Sequence, residues 1–387
     1  MRIGIDASLA SMHGTGTGRY AAQLLPRLIE LDRDNEYVLY FTRRDVRENP
    51  LFHVCAPHVR VRVTNAPSTL ARLHFNLPAC LMRDRIELYH SLGFFLPWLW
   101  FGKAIVTIHD IHPVLFPQYW NRPGTRISYF ALRAHIPLSL RRAMRILTPS
   151  EYVRQTICQR FGVPPARIVV TPEAAAPFFF ASPAGEEIEA MERRFGSGEF
   201  FLYVGALSPL KNLTGLVEAF ARLRQRAAGR PIRLVLVGRS AGSYWERSLR
   251  PLIQRLDLTD AIMPGSYVDE SMLRALYRSA VAVILPSFAE GFGLPVVEAM
   301  ACDTAVVVSR SAALSGVAGE AALSVDPHDP EDLAETMRRM LTEPELRQRL
   351  RSRGRSQASS FSWERTAQQT LEAYEQAWRG PATRRRV

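Results

Sequence analysis

Cysteine is scarce in this 387-residue chain: four residues, at 55, 80, 158 and 302, with no C-x-x-C pair among them. That scarcity excludes a disulfide framework and a thiolate zinc site, and the four are expected to be isolated, buried thiols. Long apolar runs are missing too. None approaches the ~20 residues of a membrane-spanning helix, and the first residues, MRIGIDAS, enter a strand-like alternation where a signal peptide would carry an apolar stretch, so a cytoplasmic protein is expected. Fixed-period repeats, low-complexity tracts, zinc-finger spacings and RNP-type aromatic signatures are absent, which argues against nucleic acid as a partner. Acidic residues are the minority charge, 37 against 49 Lys plus Arg, for a formal +12. Such an excess favours an anionic partner, a nucleotide or a phospholipid surface among them.

The chain is long enough, and with 47% hydrophobic residues apolar enough, for two packed cores. Short apolar strands alternate with amphipathic stretches, the pattern of parallel sheets covered by helices on both faces. The first half shows seven strands (2–8, 37–42, 59–64, 87–91, 104–110, 145–150 and 168–175) and the second half five (200–207, 232–238, 261–267, 281–287 and 305–310). Pro, Gly and charge flank one short helical stretch over 178–199, so a linker is expected near 185–198, between domains at 1–190 and 198–360. A last helix over 361–380 should return to the first domain, and the tail 381–387 is expected to be disordered.

Ligands of such sheets bind outside the carboxyl ends of the strands, in the cleft between two domains. After the first strand, GTGTGRY sets Gly14, Gly16 and Gly18 ahead of a helix expected to begin near Arg19. Missing side chains let a phosphate approach the backbone, although the same glycines taken alone describe a plain turn. In VAVILPSFAEGFGLPVVEAM a buried strand is followed by Ser287 and Glu290, by Gly291, Phe292, Gly293 and Leu294, and then by Pro295 at a helix start. Glu298 is expected in the first helical turn, so that it and Glu290 face one ligand; an acidic first turn that offsets the helix dipole is the plainer reading.

Residues 285–308 resemble the E-x7-E region of retaining glycosyltransferase family 4, also called group 1, whose members adopt the two-domain GT-B fold. GTGTGRY, VTIHDIHPVLFP, GVPPARIVVTPEA, FLYVGALSPLKNLTGLVEAFARL, YVDESMLRALYRSA, GEAALSVDPHDPEDLA and FSWERTA are similar to family segments in the same order. The resemblance implies an α/β protein of two Rossmann-like domains, the first facing the acceptor and the second binding a nucleoside diphosphate sugar. It implies a retaining transfer that needs no divalent metal and no cofactor. Lys211 would be the charged donor to the diphosphate, helped by the backbone at Gly16, Gly18, Gly293 and Leu294, and less strongly by Arg239. Glu298 would bind the ribose, Glu290 the hydroxyls of the transferred sugar, and His109, with Asp110 beside it, would face that sugar. Tyr267 and Val268 would lie beside the base. The expected donor is GDP-mannose and the acceptor a saccharide or lipid-linked saccharide of a bacterial surface polysaccharide. A nucleotide-sugar binder without turnover and an epimerase of the same fold are the other readings.

The chain departs from the family pattern at Leu210, where arginine is common, at Asp303 and Ala305, where glycine and proline are, and at Ser315-Gly316, the place of a Pro-Glu pair. A lost cation and a gained carboxylate should weaken leaving-group stabilisation unless Arg239 or Arg310 compensates. The aromatic stretch 91–103 (Phe94, Phe95, Trp98, Trp100, Phe101) and the basic stretch 126–146 suggest docking on an anionic membrane surface at its inner face, or else core packing beside a solvated helix face.

Overall fold

A computed structural model describes residues 1–12, 14–42, 49–53, 56–120, 126–226, 229–240 and 243–380. Cys55 and the tail 381–387 lie outside the described residues. The chain divides into two compact units, Met1–Glu173 with the segment from Ser362 onward, and Ala174–Phe361.

In the first unit seven strands lie in the order β3-β2-β1-β4-β5-β6-β7, all parallel: β1 Arg2–Asp6, β2 Glu36–Phe41, β3 Val59–Val63, β4 Leu88–Ser91, β5 Lys103–Thr107, β6 Arg145–Thr148 and β7 Ile168–Val170. Ile3, Ile5, Leu39 and Val106 are fully buried because helices cover both faces of a parallel sheet. The helix Gly16–Leu31 starts three residues earlier than the sequence suggests. Thr15 is its N-cap, and the Thr15 hydroxyl accepts the Gly18 N–H at 3.0 Å, so the cap forms ahead of both glycines.

The second unit has six parallel strands, β10-β9-β8-β11-β12-β13: β8 Phe200–Val204, β9 Arg233–Val237, β10 Ile262–Gly265, β11 Ala282–Leu285, β12 Val306–Ser309 and β13 Ala322–Val325. β13, of sequence ALSV, is absent from the sequence reading; it is short and half-exposed, and only its last residue is β-branched.

The expected linker at 185–198 is instead the helix Gly185–Phe195, and the units divide earlier, after Glu173. Met191 and Phe195 form the buried face of this helix, and Glu187 accepts from Arg274 Nη2 at 2.6 and 2.8 Å. Its charges are thus the polar side of an amphipathic helix that packs on Glu270–Ser279. The helix Trp363–Arg379 belongs to the first unit, where Trp363 is 1% exposed and Tyr374 donates or accepts at 2.7 Å with His90 Nδ1. Among the described residues no helix is long and apolar enough to cross a membrane.

Candidate active site

Each sheet reverses its strand order once, between β1 and β4 in the first unit and between β8 and β11 in the second. Loops leaving the carboxyl ends of strands at such a reversal diverge and leave room for a ligand. In the second unit the two loops are sewn together. Asn212, in the left-handed region at φ +55°, donates from Nδ2 to the carbonyl of Pro286 at 3.2 Å, and Phe288 N–H donates to the carbonyl of Leu210 at 3.0 Å. This stitching sets Lys211, after β8, against Glu290, after β11: Nζ lies 2.7 Å from Oε2. The fully buried Ser287 donates to Glu290 Oε1 at 2.8 Å. Lys211 is thus the counter-ion of Glu290. Both side chains keep some exposure, 20% and 13%.

Gly293 caps the helix Leu294–Ala301 at φ +98°, and a Cβ there would sit 2.4 Å from Leu314 Cδ2. Glycine is required for that close turn. The first amides of the helix lack intrahelical acceptors, which makes its N-terminus a donor surface for anions. Gly291, Phe292 and Leu294 are buried, Phe292 edge-on to Phe361 at 5.6 Å. Glu298 is not in the first turn as expected: it is the fifth helical residue, 1% exposed, and accepts the Tyr277 hydroxyl at 2.9 Å. Burial of the neighbouring Cys302 thiol, and then the charge of Glu298, push that thiol up to about 12. Of the other thiols, Cys80 and Cys158 are only half-buried. Arg239 is exposed and stacks over the Tyr267 ring at 5.4 Å, with Val268 buried beside it.

In the first unit a Cβ on Gly18 would meet the Met12 carbonyl oxygen at 2.2 Å, and its N–H is taken by Thr15. Gly18 therefore serves the turn, whereas Gly16 faces open space. His109 follows β5 and is 7% exposed, with Tyr20 edge-on at 4.6 Å. Its Nδ1 lies 3.2 Å from Glu173 Oε1 and its Nε2 lies 3.1 Å from the Leu92 carbonyl. Both partners are acceptors. These two contacts, one at each ring nitrogen, fix the orientation of the imidazole. Glu173 is the site residue that the sequence reading missed; its only signal was a carboxylate at the end of a strand in TPEA. Asp110 accepts the His112 N–H at 3.0 Å and so shapes the following turn.

The departures from the family pattern look different in three dimensions. Leu210 is a buried side chain, 6% exposed. Asp303 lies beyond the C-terminal end of the helix whose N-terminus carries Gly293, in the left-handed region at φ +55°, and both Arg278 (2.5 Å) and Arg355 (2.8 Å) neutralise it. The carboxylate gained at 303 is therefore not beside Lys211. Arg310, named as a compensating cation, is paired with Asp332 at 3.0 Å. Ala305 is fully buried, and Ser315 and Gly316 lie within the helix Ala312–Ala318. The aromatic stretch splits: Trp100 is core, while Trp98 (49%) and Phe101 (71%) are exposed. Among the described residues no three His, Cys, Asp or Glu side chains are grouped to hold a metal ion.

Two family descriptions match the chain: glycosyltransferase family 4 over residues 14–175 and glycosyl transferases group 1 over 186–357. The chain is 31% identical over 385 residues to O-antigen chain mannosyltransferase B of Escherichia coli, covering 93% of this chain and 96% of that one. It is 33% identical to a D-inositol 3-phosphate glycosyltransferase of Salinispora arenicola, covering 96% and 91%. Among solved structures it resembles the sucrose-phosphate synthase of Thermosynechococcus elongatus, with TM-score 0.77, 21% identity, and 98% and 99% of the chains covered, a likeness of fold in the GT-B class. On this sequence similarity along nearly its whole length, the chain belongs to the group 1 glycosyltransferases of family 4.

Proposed function

We propose that this glycosyltransferase moves mannose from GDP-mannose to a saccharide or lipid-linked saccharide, retaining the anomeric configuration and without a divalent metal. The observation that carries the reading is the Lys211–Glu290 pair, held at the sheet reversal just ahead of a helix N-terminus whose first amides lack intrahelical acceptors. A departing diphosphate gains negative charge, which an ammonium and preorganised amides at Gly293 and Leu294 offset in place of a cation. The diphosphate competes with Glu290 for Lys211, and the freed carboxylate turns to the hydroxyls of the sugar. Gly16 adds open backbone, Arg239 a cation toward the phosphates, Tyr267 and Val268 the surroundings of the base, and Glu298 a ribose contact made by a carboxylate that Tyr277 holds in place. His109 contributes an imidazole held in orientation by Glu173 and Leu92, and its ring faces the sugar.

Same-face transfer is the mechanism we favour: the bond from the anomeric carbon to the diphosphate oxygen breaks, the acceptor oxygen bonds that carbon from the same side, and its proton passes to the leaving diphosphate. A double displacement would need Glu290 as nucleophile, a role at odds with a carboxylate that Ser287 holds by one oxygen and that turns to the hydroxyls of the sugar. The mannosyltransferase among the relatives supports mannose. Of the two departures behind the turnover-free reading, Leu210 and Asp303, the second weighs less, since Arg278 and Arg355 neutralise its carboxylate.

For the acceptor side we propose peripheral docking of the first unit on an anionic lipid surface facing the cytoplasm. Trp98 stacks on His74 at 4.0 Å and on His135 at 5.1 Å, and Arg142 donates to the Pro97 carbonyl at 2.9 Å while covering the Phe101 ring. The segments 65–83, 91–109 and 111–150, which supply these residues, contain no aspartate or glutamate. Exposed aromatics among arginines suit a lipid interface.

The test is proton NMR of the product formed from GDP-mannose and a mannosyl acceptor. An α-anomeric product from the α-donor is expected; a β-anomeric product would overturn retention.

A further inference from the structure

On the helix Pro344–Ser359, Gln348, Arg351, Ser352, Arg355, Ser356 and Ser359 recur at intervals of three and four and so share one face. With Arg278 and Asp303 they line a surface depression of about 800 Å³ in the second unit. The depression borders the C-terminal end of Leu294–Ala301, the end opposite Gly293, so it is separate from the constellation around Lys211.

Its charges do not balance. Arg278 and Arg355 share the one carboxylate of Asp303, and each also donates to a carbonyl at the helix end, Cys302 at 3.2 Å and Ala301 at 3.4 Å. Those two have structural work. Arg351 has none: its Nε is buried without an acceptor, and no described residue accepts from its other N–H groups. The neighbouring Arg347 is occupied at the Met340 carbonyl, 2.6 Å away. Burial first, then the Arg347 and Arg278 charges, hold the Arg351 pKa below the usual arginine range. A guanidinium presents five donors in a rigid fork, and leaving it half-buried and unpaired is costly unless an oxyanion completes it.

We propose that this depression is a binding site for a phosphate-bearing anion, with Arg351 as its principal donor and Gln348, Ser352 and Ser356 as neutral partners. A tetrahedral phosphoryl group matches the fork geometry and the surplus positive charge. Soluble phosphate esters and phospholipid headgroups both carry that chemistry, and the experiment separates them.

The measurement uses the full chain carrying Lys211→Ala, which removes the ammonium of the proposed transfer site, together with Trp98→Ser and Phe101→Ser, which remove the proposed lipid contacts of the first unit, so that a failure of either reading is not confused with a failure here. Inorganic phosphate and pyrophosphate are titrated calorimetrically at constant ionic strength, and flotation is scored on phosphatidylglycerol against phosphatidylcholine vesicles. Arg351→Gln is compared with Arg353→Gln, a surface control on the same helix whose nearest acid is Glu320 at 3.8 Å. Arg351→Lys keeps the charge and loses the fork, and circular dichroism checks that each variant is folded. Saturable phosphate binding weakened about tenfold or more by Arg351→Gln, and unchanged by Arg353→Gln, supports the site with a soluble ligand. Loss of phosphatidylglycerol flotation in Arg351→Gln alone supports it with a headgroup as ligand. Absence of both responses in the parent, or equal responses in both variants, overturns it.

Discussion

At the residue scale the chemistry rests on a few contacts that a single atom exchange can probe. Glu173→Gln keeps the shape of the His109 partner and removes its charge. Turnover is expected to fall by about tenfold or more in a variant whose unfolding midpoint is unchanged. Undiminished turnover would leave Glu173 with a packing role only. Tyr277→Phe tests the other carboxylate. It removes the hydroxyl that reaches Glu298 at 2.9 Å inside the core, and the denaturant midpoint should fall by an amount worth about 1–3 kcal/mol. These partnerships also mark the limit of sequence reading. His109 stood out because TIHD follows a strand, whereas Glu173 meets it across 64 residues and nothing local announces that contact. Glu298 was visible as a type and misplaced by one position, because the helix capped by Gly293 starts at Leu294, one residue ahead of Pro295.

At the scale of elements, the strand ends do the positioning. β4 and β5 bring His90 into a buried chain in which Nε2 lies 2.9 Å from Thr107 Oγ1 and Nδ1 lies 2.7 Å from the Tyr374 hydroxyl. Burial, and then the nearby His109, push the His90 pKa from 6.5 down to about 3. The unfolded chain takes up that proton near the ordinary value, so the folded state is favoured fully above about pH 7 and loses ground as pH falls toward 3, by up to about 1.4 kcal/mol per pH unit. Unfolding midpoints measured from pH 7 to pH 4 should fall more steeply for the parent than for His90→Asn. Parallel slopes would show that other groups govern the acid limb. Twelve of the strands were legible because short apolar runs bounded by turns are the mark of buried parallel strands; β13, half-exposed and interrupted by Ser324, offers no such run. The helix Gly185–Phe195 was mistaken for part of a linker because its charges were counted and its buried Met191 and Phe195 were not.

At the scale of the whole molecule, the cationic excess of +12 is unevenly spread, and the acid-free segments of the first unit carry the exposed Phe75, Trp98 and Phe101. Replacing Trp98 and Phe101 together by serine should weaken flotation on anionic vesicles by about tenfold or more, and raised salt should weaken the parent too. Flotation unaffected by both changes would remove the lipid surface from the account. The two-unit organisation was legible from the alternation of strands and helices. The division after Glu173 was not, because Ala174, Ala175 and Ala176 carry no proline or glycine signal. Central to the account is sugar transfer in which Lys211 replaces a divalent cation. The most direct measurement is release of free nucleoside diphosphate from GDP-mannose, with acceptor and excess EDTA, by the parent and by Lys211→Ala. The account predicts undiminished release by the parent in EDTA and a loss of about 10²–10³-fold in the variant. Release abolished by EDTA, or unchanged in Lys211→Ala, would contradict it.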